Sequence, residues 1–273
     1  MRTRLWLPLA VAPLLAAAAA SAFADGDVRV TIDTLSRELR IVGDAAANDV
    51  EVTFDGAVGN YTVTGRNGTT VNLLPSVSVT NAKAFLIDMG ADADTVKLSQ
   101  TPIRGALRVR MGDGANTLVM TGVRVRGRTG IRGGQGSDHV VANGGSVFVG
   151  TLAISAGKGN DNVELLDAVF QGRVVVGAGD GDDVVLLRGA SFEKFAQVRV
   201  TSGNGEDELE VDDCAVDNDL FADLGPGTDH AILVDTNFNL NVTISGGGGG
   251  NDDISLRSGN NFRHRPSVRS FEK

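Results

Sequence analysis

The 273-residue sequence holds one cysteine, one tryptophan, one tyrosine, three histidines and six prolines. The single cysteine, Cys214, cannot close an internal disulfide, so nothing covalent staples the chain. The single tryptophan, Trp6, falls in an apolar N-terminal stretch, which leaves the rest of the chain without the indole ring suited to stacking on sugars. Positive charge is in short supply: 25 Lys and Arg stand against 34 Asp and Glu, for a net charge of −9. That balance argues against nucleic acid as the main partner. Past residue 24 no apolar run is long enough to span a bilayer, and no segment sustains a helical hydrophobic period.

The first 24 residues read as a secretory signal peptide. Arg2 and Arg4 supply the positive start, Leu5 to Ala20 is apolar, and Ala22-Phe23-Ala24 is a small-x-small cleavage site. Its removal takes two arginines and no acid, moving the net charge from −9 to −11. A secreted or cell-envelope location is expected.

Glycine is abundant, at 36 residues. Much of it belongs to one phrase, Gly-x-Gly-x-Asp-x-apolar, typified by Gly157-Lys-Gly-Asn-Asp-Asn-Val163. The phrase starts at Gly90, Gly112, Gly134, Gly157, Gly179, Gly203, Gly225 and Gly248, in steps of 22 to 24 residues. A fixed period of this size marks a solenoid, in which each repeat buries its apolar side against the next. Alternating segments precede the phrase (Leu107–Met111, Leu152–Ala156, Val198–Ser202) and follow it (Val96–Leu98, Val163–Leu165, Leu209–Val211). A third apolar column runs Ile103, Val125, Phe148, Phe170, Phe192, Val216, Phe238, Phe262. Three inward stretches and about 73 Å of extended chain per repeat predict an all-β, three-sided parallel β-helix. The general preference for right-handed crossovers makes it right-handed. Residues 25–262 form one domain, with 25–71 as atypical N-terminal capping coils and 72–262 as regular coils. Residues 263–273 are expected to be a basic tail that frays after Phe262.

Gly133-Gly-Gln-Gly-Ser-Asp-His-Val-Val141 and Gly247-Gly-Gly-Gly-Asn-Asp-Asp-Ile-Ser255 resemble the hemolysin-type (RTX) calcium-binding nonapeptide at every defined position. The other copies are looser, with Ala156, Ala178, Ser202 and Leu224 in place of the first glycine. The likeness covers about nine residues of each coil, one motif per coil, whereas RTX repeats run in tandem. The whole looks more like secreted bacterial right-handed β-helix proteins with one RTX-like turn per coil. The resemblance implies Ca²⁺ between stacked turns, held by loop carbonyls and by Asp138, Asp161, Asp183, Asp207, Asp229 and Asp252. Asp94 matches in a loop that lacks the expected glycine, and Asn116 replaces the aspartate altogether. Read from the residues alone, the column is a turn in which Gly supplies positive φ and Asp caps the backbone. A metal is a further step.

Other residues receive plainer readings. His139 and His230 sit four coils apart, about 19 Å, too far for a shared metal or a dyad. Cys214 shares a column with Val123, Ala168, Ala190 and Thr236 and is expected to fill a small buried position. Charge is split along the chain: seven arginines and one acid lie between Arg104 and Arg132, but seventeen acids and four bases between Gly159 and His230. Solvated outward positions account for such a split, and so would self-association or contact with anionic envelope or extracellular polymers. Uniform coils leave no long loop to wall a catalytic cleft. The expectation is a non-catalytic structural or adhesion rod, calcium-stabilised, with a polysaccharide-binding or polysaccharide-degrading β-helix as the alternative.

Overall fold

In the computed structural model, residues 26–271 are described. The leader reading for residues 1–24 lies outside them. The chain is an all-β parallel solenoid whose strands form three faces, of twelve, eleven and eight strands. One coil shows the plan. Leu152–Lys158 lies on the first face, Asn162–Leu166 on the second and Val169–Phe170 on the third; Val174–Asp180 then returns to the first face one coil on. Leu152 pairs in register with Val174, Val163 with Val185, and Phe148 with Phe170. Alternation sets the sidedness. In Asn162–Leu166 the second and fourth residues are buried and their neighbours partly exposed, as a two-residue period requires.

The third apolar column stacks as its spacing predicts. Phe148 and Phe170 have ring centroids 5.4 Å apart at an interplanar angle of 7°, and Phe170 and Phe192 lie at 5.0 Å and 12°. Phe238 and Phe262 repeat the arrangement at 4.9 Å and 2°. Each such contact adds about 0.5–1.5 kcal/mol beyond the area buried.

The coils are not perfectly equal, and the extra residues fall in turns. Gly144-Gly145 absorbs one between the second and third faces, because Thr121 pairs with Asn143 but Arg124 with Val147. Glu193 to Gln197 absorbs two and leaves Phe195 77% exposed.

The two ends differ from the middle. Asp27–Ile32 pairs antiparallel with Glu38–Val42, which then starts the first face beside Ala84–Asp88. Asp49–Asp55 starts the parallel pairing of the second face beside Thr95–Ser99, and Asn60–Gly65 and Ser76–Thr80 are added to its outer edge antiparallel. The irregular cap therefore runs to Thr80, past the boundary at 71 that the sequence suggested. It also plugs the core: Tyr61 is buried, its ring is 4.8 Å from Phe54 and 5.1 Å edge-on from Phe85, and its hydroxyl donates to the Pro102 carbonyl. Antiparallel hairpins over the first coil blunt the open sheet edge that a bare solenoid end would offer. At the other end the expected frayed tail is corrected. Ser267–Arg269 pairs with Thr243–Ser245, and Phe271 packs against the core. Val268 falls in register with Ile244 and continues its column, enough to hold another strand. No helix among the described residues is long and apolar enough to cross a membrane.

Phe170 is fully buried between two ring neighbours. Phe170→Ala is expected to cost about 3–5 kcal/mol, read as a lower midpoint in denaturant unfolding. An unmoved midpoint would refute the stacked register.

Candidate functional site

The Gly-x-Gly-x-Asp turn joins the first face to the second in every regular coil. In the turns at Gly112, Gly157, Gly179 and Gly203 both glycines have positive φ: Gly179 is at +136° and Gly181 at +135°. They also lie under the preceding coil, since a Cβ on Gly179 would sit 1.8 Å from the Gly157 carbonyl oxygen. These glycines let successive turns nest at strand spacing. In the last coil the glycine in register with Gly225 is Gly247, one residue before the Gly248 that the motif suggested. Its Cβ position meets the Gly225 carbonyl, while nothing lies near that of Gly248.

Nesting turns bring all six expected aspartates into one file. Asp138, Asp161, Asp183, Asp207 and Asp229 are 0–2% exposed and Asp252 is 4% exposed. Each reaches back one coil. The backbone N–H of Asp138 donates to Asp161 Oδ1 at 2.7 Å, that of Asp161 to Asp183 Oδ1 at 2.8 Å, and that of Asp183 to Asp207 Oδ1 at 2.9 Å. Asp207 donates to Asp229 and Asp229 to Asp252 in the same way, at 2.9 and 3.1 Å. The ladder runs further toward the N-terminus than the motif did. Asn48 N–H donates to Asp94 Oδ1, Asp94 to Asn116 Oδ1, and Asn116 to Asp138 Oδ1. Asn116, which looked like a lost site, is a full member. Asn48 was visible only as an echo of the motif without its glycines.

The asparagines reveal what the second side-chain atom faces. Asn116 Nδ2 donates to the carbonyls of Gly112 and Gly114, at 3.3 and 3.1 Å, within its own turn. By register, an aspartate in the same place puts an oxygen where that N–H₂ group stands. Oδ2 of Asp94, Asp161, Asp183, Asp207 and Asp229 is indeed buried without a hydrogen-bond partner among the described residues. Asp138 Oδ2 accepts a long 3.3 Å bond from the Gly134 N–H. An ionised oxygen facing carbonyls is repelled, so a proton or a cation is the natural filler.

Burial is the main cause of a raised pKa along the ladder. It pushes Asp94, Asp161 and Asp207 up to about 6 and Asp183 to about 7, against the lowering effect of the N–H bond each accepts. Neighbouring carboxylates push the same way; Asp183 faces Asp161, Asp207 and the exposed Asp182. Asp138 and Asp229 are raised too, again chiefly by burial. The nearby cation is of little help, because Lys158 reaches only the exposed Asp180, at 4.0 Å. Among the described residues no three His, Cys, Asp or Glu side chains converge as a metal cluster. The ladder supplies one carboxylate per coil, so a cation here would draw its other oxygens from turn carbonyls.

The remaining candidates fall outside this file. His139 Nε2 lies 3.0 Å from Glu164 on the second face, and His230 occupies the same column. Cys214 is 1% exposed with Sγ 3.3 Å from the carbonyls of Leu187 and Asp212. Burial pushes its thiol up to about 12, which suits an inert filler.

The chain matches no protein-family model, and no curated protein or solved structure is significantly similar to it.

The raised aspartates fix the sign of a pH effect. Between the unfolded value of 3.8 and folded values of about 6 to 7, the folded chain binds more protons than the unfolded one. Stability is therefore lost as pH rises across that window. In chelator, the melting temperature is expected to fall between pH 4.5 and 7.5. Asp183→Asn, which would donate to turn carbonyls as Asn116 does, should flatten the slope and raise the neutral-pH value by about 2–4 °C or more. A melting temperature that rises over the same interval, with Asp183→Asn destabilising, would sink the carbonyl-facing assignment.

Proposed function

We propose that the chain is a non-catalytic structural rod of the cell exterior, secreted by its leader, whose aspartate file closes on Ca²⁺. The observation that carries this reading is the run of buried, unpartnered Oδ2 atoms on Asp161, Asp183, Asp207 and Asp229. They stand where Asn116 directs a donor at two turn carbonyls. Carboxylate and carbonyl oxygens in irregular geometry are the donor set that a hard cation taking six to eight oxygens prefers. Asp138, Asp161, Asp183, Asp207, Asp229 and Asp252 would hold it, the residues to which the RTX resemblance points. Bound, the ion would supply charge compensation and cross-link adjacent coils.

Differential scanning fluorimetry or calorimetry at pH 7.5 tests this. Millimolar Ca²⁺ is expected to raise the melting temperature over that in chelator. At a hundredfold excess over Kd the gain is about 2.7 kcal/mol, or about 5–10 °C for a chain of this size. Asp183→Ala should shrink the gain more than Asp94→Ala. Identical curves in Ca²⁺ and chelator would leave the aspartates as turn caps.

A specific observation favours a second reading, binding of an acidic polysaccharide. A cleft of about 800 Å³ beside Tyr61 is lined by Arg37, Lys83, Arg104, Arg124 and Arg126 with no acid in its wall. A shallower depression of about 650 Å³ over Gly130 is lined by Arg108, Arg110, Arg128 and Arg132. Glycan cleavage calls for a positioned acid and base, and neither wall holds a carboxylate or imidazole. Incubation with a panel of polyuronates is expected to release no reducing ends or unsaturated products. Steady release would overturn the non-catalytic reading.

A further inference from the structure

Over six coils of the third face, the outward charge reads the same from either end with its sign reversed. One outward column runs Arg104, Arg126, Val149, Gln171, Glu193, Asp217 over these six coils, one residue per coil, and goes on to Asn239 and Arg263 in the next two. It is stacked by N–H bonds from Arg126 to Ile103, Val149 to Val125, Gln171 to Phe148, Glu193 to Phe170 and Asp217 to Phe192. Two cations are followed by two neutral residues and two anions. In the adjoining column Arg124, Val147, Val169 and Ser191 are in register, which places two valines at the middle of the face. Arg104, Arg124, Arg126 and Asp217 are exposed and Glu193 is partly so. Among the described residues none of these five is in an ion pair. Glu193 and Asp217 take side-chain hydrogen bonds only from the amides of Gln171 and Asn239.

We propose that this face binds a second copy of the same chain, the two rods lying side by side and antiparallel. A twofold axis in the face, along the strand direction, exchanges the first and last of these six coils, then the second and fifth, then the two middle ones. It keeps each residue in its own column. Arg104 then meets Asp217 of the second copy, Arg126 its Glu193, and Val149 its Gln171. In the adjoining column Val147 meets Val169. Every pairing occurs twice. The parallel arrangement sets Arg104, Arg126, Glu193 and Asp217 each against itself, so charge selects the antiparallel one.

Phe195 is a second, separate pointer. It is 77% exposed in the long turn that follows Glu193. The same operation carries that turn onto the turn from Arg126 to Arg128 of the second copy, where an arginine can cover the ring. The patch is small, two outward residues per coil over about 24 Å, well below the roughly 800 Å² per partner of a stable complex. The pairing is therefore weak and salt-sensitive.

Sedimentation of the purified protein at fixed calcium tests it. The weight-average mass is expected to rise toward that of a dimer with concentration at low salt and to fall back as salt is added. Arg104→Glu with Arg126→Glu should weaken association at least about tenfold, a loss of about 1.4 kcal/mol. Glu193→Arg with Asp217→Arg should do the same, and mixing the two variants should restore it. Under oxidation, Arg104→Cys and Asp217→Cys proteins should cross-link when mixed and not alone. Cross-linking of either alone would assign a parallel pair and overturn the proposal. So would a monomer at every salt and concentration, including one that binds a polyuronate through Arg104 and Arg126, which would give the face to an anionic polymer.

Discussion

Like residues stacked on like at strand spacing are the constraint on which this molecule depends. Coil-to-coil hydrogen bonding fixes the register, so whatever occupies one position of the repeat stands about 4.8 Å from its equivalents. Apolar residues gain from this, as the parallel rings of Phe148, Phe170 and Phe192 show. Glycines make it possible in the turns, where any Cβ would collide with the carbonyl above. Acids are penalised: two carboxylates at that distance repel by about 1 kcal/mol in water and about 3.5 kcal/mol at an effective dielectric constant of 20. The aspartate ladder sits at the place where the constraint is least comfortable.

The ladder meets the problem in halves. From Asp94 to Asp252 Oδ1 accepts a backbone N–H from the preceding coil, a bond that favours the ionised form of an aspartate. Oδ2 has no such bond, and the raised pKa values of Asp94, Asp161, Asp183 and Asp207 follow from its burial. Proton and divalent cation compete for the same oxygens, so each would weaken the other's hold. The N-terminal coils adopt a third solution. Asn48 and Asn116 keep the ladder bond and point a donor at their turn carbonyls, with no charge to compensate. A chain that uses asparagine where it can, and keeps an unbroken series of aspartates from Asp138 to Asp252, retains the acids despite an available neutral substitute.

Much of the fold was legible because a solenoid turns sequence spacing into spatial neighbourhood. The 22-residue step was enough to stack the phenylalanines, align the six aspartates and bury Cys214. What escaped depends on hydrogen-bond direction or on contacts outside the repeat. Asn116 read as a defect because the motif is defined by the acid, while the ladder needs only an acceptor. Asn60–Gly65 runs antiparallel beside Asp49–Asp55, and its alternating Tyr61 and Val63 look the same whichever way the strand runs. Ser267–Arg269 has a single apolar residue, too little to signal a strand, yet its partner edge was already in place. A second glycine column, Gly105, Gly127, Gly150 and Gly172, passed unread. These residues are not at positive φ; they are needed because a Cβ at Gly127 would meet the Gly105 carbonyl at 2.5 Å.

The same register converts charge order along the sequence into a charge gradient along the rod. Arginines crowd the coils near Arg104 to Arg132, and acids crowd those from Gly159 to His230. The acids are of two kinds. Those of the ladder are buried in the turns, and their charge is open to cancellation by protons or a cation. Those of the faces point outward, exposed or partly so, and are already in part engaged: Arg188 holds Glu210 at 2.8 Å and Asp212 at 2.9 Å on the second face. Glu193 and Asp217, on the third, have no cation among the described residues. Filling the ladder would therefore reduce the field of the acidic half without touching the side chains that face outward. Internal charge compensation and external charge display are set by different residues of one repeat, so each could be tuned while the coil stays the same length.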